Sequence, residues 1–129
     1  MSTSSRDQSI LKLRAEIPSI ENLQTTTDVE VFQNNTLRPI LKFQNDALIH
    51  TFLLDLKSKK QDLKTLNTKQ RQLLIDTHFR TNSNLRQVLL GMILALFSSD
   101  EMRFYNSVYK EVNKRIFSLL KARLKDQLV

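Results

Sequence analysis

One glycine and two prolines are spread over 129 residues, and the glycine, Gly91, sits inside an apolar run at residues 88–97. Hairpins and tight turns consume glycine and proline, because the backbone conformations they need are costly for other residues. A chain this poor in both, and rich in Leu, Lys, Gln and Arg, is confined to long helices joined by few breaks. No segment sustains the alternation of apolar and polar residues that a half-buried strand requires, and no repeat recurs at a fixed period. The expected fold class is all-α.

Capping signals place the elements. Ser5 with Gln8 opens a helix over about residues 6–16, which Pro18 closes. Residues 1–5 read as a disordered lead and 17–27 as a connector. Thr27 with Glu30 starts a short second helix through about Asn34. The amides Gln33, Asn34, Asn35, Gln44 and Asn45, with Arg38 and Lys42 between them, read as a junction fixed by side-chain bonds. A third helix from about Thr36 to Lys60 carries Pro39 in its first turn, where a missing N–H does little harm. A fourth opens at Asn67 with Gln70 and can be followed to about Phe97, with TNSN at 81–84 as its weakest stretch, where a division into two helices is the alternative. Ser98 with Glu101 opens the last helix, whose end carries Lys121, Arg123 and Lys125, suited to the negative pole of the helix dipole. Three long helices plus two short N-terminal ones predict an antiparallel helical bundle, a single domain over residues 1–129.

Little in the chain calls for catalysis. Cysteine is absent, which removes disulfides, zinc-thiolate sites and a thiol nucleophile. A glycine-rich phosphate loop cannot be built from one glycine, and neither Gly-x-Ser-x-Gly nor Glu-x-x-His occurs. His50 and His78 lie on different long helices; with Tyr105 they are the candidates for a ligand pocket. The expectation is a non-enzymatic protein without metal or cofactor. Residues 1–8 are polar and do not resemble a secretory signal, and the longest apolar run falls well short of the roughly 20 residues a spanning helix needs. A cytoplasmic setting without a membrane span is expected.

Two surfaces invite partners. The charge is polarised: residues 1–30 carry a net −2, residues 31–56 balance, and residues 57–129 carry +9. In the last helix Arg103, Lys110, Lys114, Lys121 and Lys125 recur at intervals of 7, 4, 7 and 4, one stripe that could follow a polyanion such as nucleic acid. The run at 88–97 is apolar all round, so Leu89, Gly91, Met92, Ile93 and Leu96 are candidates for self-association, with a twofold homodimer the default symmetry. Gly91 itself suggests a close helix crossing.

The segment VFQNNTLRPILKFQND at residues 31–46 resembles a family of short bacterial helical proteins that share its TLRPILKFQN signature. The resemblance extends to LGMI at 90–93 and LKD at 124–126, and so covers most of the chain. It implies a bacterial cytoplasmic protein and supplies no catalytic residue. Some members carry the label glyoxalase, which implies paired β-α-β modules and a His/Glu metal set; this sequence has neither. The combined expectation is a small interaction module that self-associates through the third and fourth helices or meets another protein. Binding of a polyanion by the basic stripe is the alternative, with nucleic acid the less favoured partner.

Overall fold

The computed structural model describes residues 4–14 and 27–129, and every regular element among them is a helix. Of the predicted lead and connector, only Ser4, Ser5 and Thr27 fall within the described residues. Helix α1 (Ser5–Leu13) is capped by Ser4, one residue earlier than expected, whose side chain accepts from the Asp7 N–H. Helix α2 (Asp28–Phe32) is capped by Thr27 as the sequence predicts.

The second helix does not stop at the amide cluster. It widens into a π-turn at Gln33–Leu37 and continues as α3 (Arg38–Phe43). Pro39 explains the widening: its ring would meet the carbonyl four residues back, and the Arg38 N–H instead reaches the Gln33 carbonyl, one residue further. The amides fix this junction. Arg38 Nε donates to Asn34 Oδ1 at 3.1 Å, Arg115 donates to Gln33 Oε1 at 3.0 Å, and Arg123 donates to Asn45 Oδ1 at 2.9 Å.

Three predicted long helices are each divided. Gln44 bends the third, so α4 begins anew (Asn45–Ser58). Asn82, with φ −112° and ψ 83°, separates α5 (Thr68–Thr81) from α6 (Ser83–Leu94) at the weak stretch. Val108 separates α7 (Ser99–Ser107) from α8 (Tyr109–Leu128). The last break has a local cause: the Ser107 hydroxyl takes the Phe104 carbonyl at 2.6 Å, and β-branched Val108 adopts φ −138°. Of the four predicted capping boxes, those at Asn67/Gln70 and Ser98/Glu101 are formed reciprocally, Thr27 caps α2 without the return bond from Glu30, and Ser5 lies inside α1.

One hydrophobic core joins α2 through α8. Leu48, Phe52 and Leu56 of α4 meet Ile75 and Phe79 of α5, Leu89 and Ile93 of α6, and Val112, Ile116, Leu120 and Leu124 of α8. Each such side chain contributes about 1.5–3 kcal/mol by leaving water. Leu73 of α5, Val88 of α6 and Tyr109 of α8 face away from this core, 67%, 54% and 48% exposed.

Helix α1 docks on the turn between α6 and α7. Arg6 donates to the carbonyls of Phe97 and Ala95 at 3.0 and 2.9 Å, and Arg14 donates to that of Leu96 at 2.7 Å. Two arginines thus occupy the open carbonyls at the end of α6. In the other direction Asp7 Oδ1 accepts the Ser99 N–H at 2.9 Å, at the positive start of α7.

Candidate interaction surface

Self-association was expected to use Leu89, Gly91, Met92, Ile93 and Leu96, and the structure divides that set. Leu89 and Ile93 have no exposed surface; they belong to the chain's own core and are not open to a partner. Met92 and Leu96 are partly buried against that core. Gly91 is exposed, and a Cβ built on it meets nothing within 4 Å. The predicted tight crossing at Gly91 is therefore corrected: no neighbour among the described residues requires a glycine there.

What the run does provide is an outer face. Helical spacing puts Val88, Gly91 and Ala95 on one side of α6, all exposed. Phe43, Ala47 and Leu54 form the matching outer stripe of α3 and α4, with Phe43 43% and Leu54 60% exposed. The two stripes flank one seam, where Thr51 Oγ1 lies 3.7 Å from Met92 Sδ and Gln44 Nε2 donates to the Met92 carbonyl at 3.0 Å. Neither stripe contains Asp, Glu, Lys or Arg, in a chain of which 26% is charged, and exposed His50 falls between Ala47 and Leu54 on that of α4. The one charged side chain of α6, Arg86, turns away to the Phe79 carbonyl at 2.7 Å. Exposed Gly91 thus lies beside Val88 on a side of α6 that carries no charged residue.

The basic stripe is not continuous. The break at Val108 puts Arg103 on α7, where it pairs with Asp100. On α8, Lys125 lies 2.7 Å and Lys121 3.9 Å from Asp76 Oδ1, so both are directed at α5. Lys110 and Lys114 are exposed and make no ion pair with a described residue.

The histidines and Tyr105 do not form a pocket. His50 is exposed on α4. His78 is buried on α5, its Nε2 2.7 Å from Asp55 Oδ2 and its Nδ1 3.3 Å from Asn82 Nδ2. Its ring also packs edge-on against Phe52. Burial would raise the Asp55 carboxyl, but hydrogen bonds from Lys59 and His78 outweigh it and hold it below the usual range. Tyr105 donates to Asn113 Oδ1 at 2.6 Å across the Val108 break. His78 and Tyr105 are structural in their contacts.

The sequence reading missed the strongest charge network. Arg14 makes a bidentate pair with Glu101, Thr36 Oγ1 donates to Glu101 Oε2 at 2.8 Å, and the Ser98 N–H donates to Glu101 Oε1 at 2.8 Å. Burial would raise the Glu101 carboxyl; these bonds, from Arg14 foremost, hold it low instead. Only the capping-box role of Glu101 was readable, since its partners come from two other helices. Comparison of the chain with models of known families, with curated proteins and with solved structures returns no match in any of the three.

Proposed function

We propose that the chain is a non-enzymatic helical interaction module that forms a twofold homodimer through the uncharged outer face of α4 and α6. The observation that supports this is exposed Gly91, with nothing within 4 Å of a Cβ built on it, on the same side of α6 as exposed Val88 and Ala95. In a twofold arrangement an apolar knob of one copy, Phe43, packs over Gly91 of the other, and the exchange is made twice. The frame of this reading is the antiparallel bundle expected from the sequence, with α4 beside α6 and α5 beside α8. His78 and Tyr105, engaged with Asp55 and Asn113, serve as internal struts.

Sedimentation at micromolar concentration tests the proposal. The expected mass is about 30 kDa, twice the 15.1 kDa of the chain. Val88→Glu, an exposed substitution, should return the protein to monomer with its helix content unchanged. A wild-type monomer at these concentrations would overturn the reading. Polyanion binding through the last helix is the weaker reading, because two of its five cations already face Asp76.

A further inference from the structure

The densest positive charge lies between α4 and α5: residues 57–71 hold six basic side chains against the single acid Asp62. A groove of about 630 Å³ opens there, at the size of small-molecule sites. Its apolar wall is Leu53, Leu56, Leu63 and Leu128. Lys57, Lys60, Lys64 and Arg71 supply its basic rim, with one acid among them, Asp62, whose Oδ1 accepts the Lys64 N–H at 2.9 Å. Arg71 is already committed, its Nε donating to the Leu66 carbonyl at 2.9 Å, and it braces the groove. The three lysines make no ion pair with a described residue, while their neighbour Lys59 is held by Asp55.

The backbone adds an independent sign. Helix α4 ends in a left-handed cap: the Gln61 N–H reaches the Leu56 carbonyl at 2.9 Å and the Lys60 N–H reaches that of Lys57 at 3.0 Å. The residue in the left-handed position is Lys60, with φ 59°, where glycine is the relaxed choice. A lysine kept at that position puts a charge on the groove rim at the expense of backbone ease. The same cap bonds satisfy the last carbonyls of α4, so the negative helix end is covered where the rim is positive.

We infer that this groove binds a single-tailed amphiphilic anion, its apolar tail along the leucine wall and its anionic head among Lys57, Lys60 and Lys64. Point-charge lysines without a free arginine fork fit a head recognised by charge more than by planar geometry. The probe is decanoate below its micelle concentration, titrated into protein with labelled leucine methyls. Saturable shifts at Leu53, Leu63 and Leu128 are expected. Lys57→Gln/Lys60→Gln/Lys64→Gln should weaken binding about tenfold, the combined effect of three exposed charges. Lys110→Gln/Lys114→Gln, the control on α8, should leave it within about twofold of the wild type. Lys60→Gly should raise the melting temperature while weakening decanoate, which separates the ligand effect from a folding defect. Equal binding of uncharged decanol, unchanged affinity in the triple variant, or binding to anionic phosphatidylglycerol vesicles with no methyl shifts from decanoate would each overturn the proposal.

Discussion

Gly91 shows how far residue-level reasoning reaches. Glycine inside a helix costs about 0.5–1 kcal/mol relative to alanine, and a close neighbour is the usual reason to keep one. No atom of a described residue supplies that reason within 4 Å. Gly91→Ala is therefore expected to stabilise the monomer by about 0.5–1 kcal/mol, seen as a higher urea midpoint at unchanged slope. A destabilised monomer would mean that an unseen contact crowds the position. Lys60 is the reverse case, a side chain where a glycine belongs. Lys60→Gly should gain about 1 kcal/mol by relieving the left-handed backbone, measured in the same way. The sequence could not point to Lys60, since a left-handed cap without glycine leaves no compositional trace.

At the scale of elements, α1 is held by charge more than by apolar burial, and acid should release it. The carboxyls of Asp7 and Glu101 are both depressed, Asp7 chiefly by the Ser99 N–H and Glu101 by bonds that outweigh its burial. A depressed carboxyl stabilises fully above its unfolded value, about 4, and the benefit is lost as pH falls through the lower folded value. Melting curves from neutral pH to about pH 2.5 should thus fall more steeply for the wild type than for Glu101→Gln. At pH 7 Glu101→Gln should cost about 1–2 kcal/mol, allowing for the solvent that still reaches the pair, and the two proteins should converge in acid. Parallel curves would refute the network's role. The caps at Thr27, Asn67 and Ser98 were legible because a cap is written within four residues. The pairing of Arg14 with Glu101 spans 87 positions and leaves no local pattern. The breaks fall between these cases: the one at Asn82 lay in a stretch of poor helix formers, whereas those at Gln44 and Val108 depend on one bend and one serine hydroxyl in strongly helical surroundings.

For the whole molecule, the all-helical class followed from the scarcity of breakers, whereas the outward face of α6 follows from which side of that helix meets the core. Leu85, Leu89 and Ile93 turn inward, and helical spacing therefore leaves Val88, Gly91 and Ala95 outward. That face decides the stability of the assembly if two copies share it. Unfolding of a dimer releases two chains, so its melting temperature rises with concentration, whereas that of a monomer does not. Above the dissociation constant a tenfold increase is worth about 1.4 kcal/mol per dimer, or roughly 3 °C for two chains of this length. Phe43→Lys, placed at an exposed position, should abolish the dependence and leave the low-concentration melting temperature nearly unchanged. A wild-type melting temperature independent of concentration across that range would place the uncharged face outside any self-association.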